Sequence, residues 1–257
     1  MASIVDLTTS ASPSPSPSAS TSVVHQRLMY EMETLTEPKP TYEVFVDDND
    51  IQNFVAFLYG PPRSRYKNTV LGFRFEVPDN YPEEPPRVIF LQYGHRDVRI
   101  HPNFHPDGTV NLRCLQHGWM ADCWRPEKGI HYILLTIRTQ LDDFPHLWDV
   151  QRMGENLYQY NTFVQYMSWH LLIDYLNRER DEDIRTWLKD YIAERAEGIM
   201  HAILVERRAN RRLTSFCNPY AEPGVVYRPD YDDLIERMSA AIAFARTPHE
   251  HMDMDPR

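Results

Sequence analysis

One short stretch, His101-Pro102-Asn103 through Leu115, holds the side chains most able to do chemistry: a thiol, Cys114, and two carboxamides, Asn103 and Asn111. A cysteine is nucleophilic as its thiolate, and a cation such as the neighbouring Arg113 lowers the pKa of a thiol. A carboxamide has no acidic proton and no usable nitrogen lone pair at neutral pH, so Asn111 cannot carry an acyl group. Its N–H groups can stabilise an oxyanion instead. Asparagine is also a common turn residue, which is a second reading of Asn103. Cys114, His117, Cys123 and His131 are zinc-capable types, but they lack a closely paired cysteine knuckle, so no metal site is expected. With no glycine-rich phosphate loop, no Gly-x-Ser-x-Gly elbow and no His-Glu-x-x-His, no cofactor is expected either.

The elements that must hold this stretch can be read from hydrophobic periodicity. Residues 1–22 contain a Ser/Pro run, Ser10 to Ser18, too polar to bury; they are expected to form a disordered leader. Leu28, Met32 and Leu35 lie at helical spacing, and Pro38 and Pro40 end that helix. Four strand-like runs follow: 42–46, 54–59, 70–77 and 87–91. Their short connections predict an antiparallel meander. Between the third and fourth, Pro78, Pro82, Pro85 and Pro86 force an extended loop. After Trp124-Arg125-Pro126 the period becomes helical. Ile130, Ile133, Leu134, Ile137 and Leu141 share one face, and Pro145 bounds the helix. Further helices are predicted over 154–177, after Asp181 as a cap, and after Asp230 as a cap. The arginines at 207, 208, 211 and 212 are expected as cations near a helix C-terminus rather than as a binding patch. Trp119 and Trp124 are expected to pack.

The chain has 257 residues and a net charge of -10, with a pI near 5.5. Neither nucleic acid nor a membrane is therefore expected as the main partner, since both call for basic surface. The longest apolar runs fall far short of the ~20 residues that cross a bilayer. Three cysteines and no secretory signal predict reduced thiols and a location in cytoplasm or nucleus.

The motifs resemble a family. Gly60-Pro61, Tyr66 and Gly72-Phe73, the loop Pro78-x-x-Tyr81-Pro82-x-x-Pro85-Pro86, the element His101-Pro102-Asn103, and Trp124-x-Pro126 stand in the order found in ubiquitin-conjugating enzymes (E2). The resemblance runs from residue 23 to 178. It implies an α+β UBC fold: N-terminal helix, four-stranded antiparallel meander, active-site segment and C-terminal helices. Residues 23–178 would form the UBC core, and 179–257 an extra helical extension and tail. It also implies ubiquitin or a ubiquitin-like modifier as partner, together with an E1, an E3 ligase or an active E2. The chemistry implied is acyl transfer through a cysteine thioester. By the same resemblance His101 and Asn103 belong to the HPN element, with Asn103 supporting the loop and the oxyanion. Asp149, or Asp142 or Asp143, would orient the incoming lysine, unless these are simply solvated acids.

The nucleophile's place is where the resemblance breaks. The family pattern puts cysteine eight residues after the HPN asparagine, and here that residue is Asn111. Gly108, Val110, Leu112 and Leu115 then fall on pattern without a gap. Making Cys114 the nucleophile requires three inserted residues and puts Arg113 where an apolar side chain normally packs. On the gapless reading Cys114 is a small structural side chain. Glu83 departs as well, standing where many active members carry a bulky apolar contact for E1 and E3. That wording is similar to inactive variants, yet those usually lack the HPN element kept here. Three functions follow as expectations: an E2 variant acting by binding, with Asn111 at the reaction centre; an active, divergent E2 using Cys114; and a scaffold outside the pathway.

Overall fold

The computed structural model describes residues 20–93, 98–149, 158–216 and 218–247. Most of the expected leader and the end of the tail lie outside these, as does Cys217. A first helix, α1 (Ser20–Leu35), leads into four strands: β1 (Tyr42–Asp47), β2 (Asp50–Tyr59), β3 (Val70–Glu76) and β4 (Arg87–Phe90). They pair antiparallel in sequence order, the meander that their spacing predicts. Then come α2 (Gly129–Gln140), α3 (Tyr158–Arg178), α4 (Glu182–Ala209) and α5 (Tyr231–Ala245). Helix α1 takes in Ser20 to Ser22, the last three residues of the expected disordered leader. The start expected at 154 falls on residues outside the description.

The period-2 alternation of the strands divides the sheet into two faces. Directly paired residues share a face, so Tyr42, Leu58 and Leu71 line up, as do Val44, Ala56, Phe73 and Phe90. This face looks toward α2, where the Tyr42 hydroxyl meets His131 Nδ1 at 2.8 Å. Ile130, Ile133, Leu134 and Ile137 of α2 are fully buried, as the helical spacing requires. The opposite face, with Phe45, Phe57 and Gly72, is covered by α3 and α4. Tyr175 meets Phe57 edge-on, and Trp187 packs on Phe45, Phe57 and Tyr59. A sheet apolar on both faces needs cover on both, which α2 supplies on one side and α3 and α4 on the other.

Particular residues explain the recurring motifs. A Cβ on Gly60 would sit 1.7 Å from the Tyr66 carbonyl oxygen, so only glycine fits. Tyr66 is fully buried and donates its hydroxyl to the Ile100 carbonyl at 2.8 Å, pinning the segment that enters His101. The proline loop, cis at Tyr81–Pro82, is fastened at both ends of that dipeptide. The Tyr81 hydroxyl donates to Glu31 at 2.7 Å, and Trp124 Nε1 donates to the Pro82 carbonyl at 2.9 Å. Glu31 of α1 also accepts the Ile130 N–H at 2.8 Å, satisfying a free donor in the first turn of α2. One carboxylate thus sets α1, the proline loop and α2 relative to one another.

The predicted caps are present. Asp181 accepts from the N–H groups of Asp183 and Ile184, and Asp230 accepts from that of Asp233. Of the arginines ending α4, Arg207 pairs with Asp232 of α5 at 2.6 Å. Arg237 of α5 reaches Asp174 of α3 at 3.1 Å. The C-terminal helices are therefore tied to one another and to α3, and α4 closes on the sheet.

Candidate active-site groove

The turn after His101 is built by main-chain pairing. His105 N–H donates to the Thr109 carbonyl at 2.9 Å, Phe104 bridges Val110, and Asn111 N–H donates to the Asn103 carbonyl at 2.8 Å. The reversal occurs at Gly108, whose φ of 87° is left-handed. Asp107 helps by accepting the Thr109 N–H at 2.9 Å. This register puts Asn111 directly across from Asn103. Three residues further on, Arg113–Leu115 forms a short 3-10 turn. That turn directs Cys114 inward.

The two candidate positions have opposite environments. Asn111 is exposed, and its Oδ1 accepts from Gln116 Nε2 at 2.8 Å. Cys114 is 1 % exposed and belongs to the hydrophobic core. Burial pushes its thiol up to about 11, against the smaller opposing effects of the Thr136 hydroxyl and Lys128. Roughly one such thiol in ten thousand is ionised at pH 7. The cation that the sequence sets beside it does not rescue it, because Arg113 turns outward to Asp122 at 3.3 Å.

A groove of about 600 Å³ runs past these residues, lined by Asn103, Asn111, Gln116, Asp122, Tyr132, Thr136, Gln140, Trp148 and the chain from Leu112 to Cys114. Its polar floor is two pairs of amides. Asn103 Nδ2 donates to Gln140 Oε1 at 2.8 Å, beside the Gln116–Asn111 pair. His101 is fully buried below. Its Nδ1 accepts the Asn103 N–H at 3.1 Å, and its ring packs on Phe104 with centroids 4.6 Å apart. Burial pushes His101 down to about 3, so the ring is neutral and a fixed acceptor at physiological pH. It holds the turn; it has no proton to exchange near pH 7.

None of the three expected acids lines this groove; Asp122 does. Asp149 accepts the Tyr220 hydroxyl at 2.9 Å. Asp142 accepts from Trp148 Nε1 at 3.0 Å, and Asp143 pairs with Arg65 at 3.1 Å. Tyr220 comes from the loop between α4 and α5, and its ring also lies under the Arg99 guanidinium, 4.4 Å away. Arg99 in turn donates to the Pro102 carbonyl of the HPN turn. Through Tyr220 the C-terminal extension reaches the groove's supporting layer.

The expectation that both tryptophans pack holds for Trp124 alone. Trp119 is 88 % exposed on the loop after Cys114. Met120 beside it, and Phe144, Leu147 and Trp148 beyond α2, are exposed as well. The four zinc-capable residues do not form a metal-holding group among the described residues, and His131 is engaged by Tyr42. Gln140, Gln116, Asp122, Trp148 and Tyr220 were not foreseen. Only Gln140 left a trace in the sequence, as an amide on the apolar face of α2.

A meander backed by a central helix, with an HPN turn at the mouth of a groove, defines the UBC class of α+β folds. The family described as ubiquitin-conjugating enzyme matches residues 27–161, and the chain belongs to it. It is 33% identical over 115 residues to ubiquitin-conjugating enzyme E2 Z of Danio rerio, covering 45% of this chain and 35% of that protein. It is 31% identical over 122 residues to a probable ubiquitin-conjugating enzyme E2 17 of Arabidopsis thaliana, covering 47% of this chain and 70% of that one. The chain thus spans about a third of the length of the E2 Z proteins it matches. It is an E2-like protein, with a helical C-terminal extension beyond the UBC fold. Among the described residues no helix is long and apolar enough to cross a membrane.

Proposed function

We propose that this protein is an E2 variant that works by binding a ubiquitin-type modifier or an active E2, with Asn111 in the place of the nucleophile. The observation that carries this reading is the main-chain pairing of Asn111 with Asn103 at the groove, where the family pattern calls for cysteine. The nearest thiol, Cys114, is buried and un-ionised. A groove lined by amides suits the hydrogen-bonding needs of an extended peptide, and exposed rings such as Trp119 and Trp148 offer apolar anchors. Asn103 supports the turn in this role, as does His101 beneath it, and Asp149 is a structural acid held by Tyr220. Residues 23–178 act as the core, and 179–257 as an extension that braces it.

The test is incubation with E1, ATP and ubiquitin, followed by a non-reducing gel and a separate binding measurement. We expect no thiol-sensitive adduct but measurable affinity for ubiquitin or a charged E2. An adduct lost in Cys114→Ala and kept in Asn111→Ala would make the protein an active E2 using Cys114. Neither adduct nor binding would leave a scaffold outside the pathway. A thioester gained by Asn111→Cys would show that the groove otherwise retains what the reaction needs.

A further inference from the structure

Away from the groove, a hollow of about 440 Å³ opens where α4 crosses the end of the sheet. Three cations line it, each from a different element: Lys39 from the link between α1 and β1, Arg138 from α2, and Arg195 from α4. No carboxylate is among its lining residues. In a chain of net charge -10, such convergence is local and not a by-product of composition. Acids do stand around it. Glu37 pairs with Lys39 at 2.8 Å and Glu194 with Arg195 at 2.9 Å, both acids being largely exposed, while Glu43 lies beside Tyr59. Exposed pairs of this kind are weak and exchange readily for a better anion. Arg138 forms no ion pair among the described residues, and its Nε is buried without a hydrogen-bond partner. A buried guanidinium nitrogen left unmet is costly unless an acceptor arrives.

The walls are rigid. Tyr59 and Tyr191 stack with centroids 5.7 Å apart, and the Arg195 guanidinium lies 4.4 Å over Tyr191. Asn68 fastens α4 to the core by donating to the Gly198 carbonyl at 3.2 Å. The Arg195 guanidinium is thus held by surroundings that do not depend on a ligand, which lowers the ordering cost of binding.

We propose that this hollow is a binding site for a phosphate-type dianion, taken up as inorganic phosphate or as the phosphate of a monoester. Arginine's planar fork matches phosphate oxygens, and the ammonium of Lys39 adds a point charge. Because Arg195 belongs to the extension while Lys39 and Arg138 belong to the core, an anion there bridges the two. The inference does not depend on which function the groove serves.

The test is calorimetric titration of the full chain with inorganic phosphate and, separately, with phenyl phosphate, at constant ionic strength. We expect saturable binding, weakened about tenfold by Arg138→Gln and by Arg195→Gln. The control is Arg208→Gln, in the basic end of α4, which should bind as the wild type does. Binding of both probes assigns recognition to the dianion itself, and binding of the ester alone adds a contribution from its organic part. Absence of saturable binding by either probe overturns the proposal. So does a wild-type titration by Arg138→Gln, or an equal loss in Arg208→Gln. Circular dichroism of each variant confirms that the fold is retained.

Discussion

The two sides of this molecule treat their aromatic residues in opposite ways. On the outer face of the sheet, Phe45, Phe57 and Tyr59 are closed over by Trp187 and Tyr191 of α4. Around the groove, Trp119, Phe144 and Trp148 are exposed, with none of the helices among the described residues laid over them. Both regions carry enough apolar surface to attract a partner. In one the chain supplies that partner itself, as its own fourth helix. In the other the surface is left for something else. The extension therefore narrows the protein's options, sealing one face and leaving the groove as the open one.

The largest effect should come from opening the sealed face. Phe57→Ala removes a fully buried ring between Tyr175 and Trp187 and is expected to cost about 4 kcal/mol; Trp187→Ala, being partly exposed, about 3. Chemical denaturation checks both. Equal, small losses would mean that α4 does not hold that face.

The groove side should show itself through pH. His101 is held neutral with its pKa near 3, while the unfolded chain protonates this residue near the ordinary histidine value. The unfolded state therefore takes up the proton first as pH falls. Stability is full above about pH 6.5 and declines toward pH 3 by about 1.4 kcal/mol per unit from this residue. His101→Asn, which keeps an acceptor for the Asn103 N–H, should flatten that part of the curve in pH-resolved denaturation.

A smaller effect links the two regions. Tyr220→Phe keeps the ring under Arg99 but removes the hydroxyl that Asp149 accepts, and should cost about 1 kcal/mol. Smallest of all, Trp119→Ala should leave stability within about 0.5 kcal/mol while weakening whatever partner the groove takes. A strong loss of stability there would mean that Trp119 is structural, and the contrast between the two sides would fail.

Much of the fold could be read before any coordinates. Strand alternation, the apolar stripe of α2, and Asp181 and Asp230 as caps are local signals, and local physics decided them. Asp107-Gly108, the residues that reverse the chain between Asn103 and Asn111, are a local turn signal as well. The shell behind the groove was not legible. Gln116, Trp148 and Tyr220 meet the HPN region only through tertiary packing, across sequence distances that no periodicity spans. Trp119 was misread for a related reason. Burial is the usual fate of a tryptophan, and only the loop's outward course reverses it. Asp142, Asp143 and Asp149, the acids expected there, each have another partner, while Asp122 lines the groove from the loop after Cys114.

The bond between Asn103 and Asn111 is made wholly by the main chain. The backbone there does not register which side chain residue 111 bears, so a thiol in place of the carboxamide would cost the folded form only the amide bond from Gln116. Loss of a reactive group at that spot would leave the architecture untouched, and its return would need one substitution rather than a rebuilt loop.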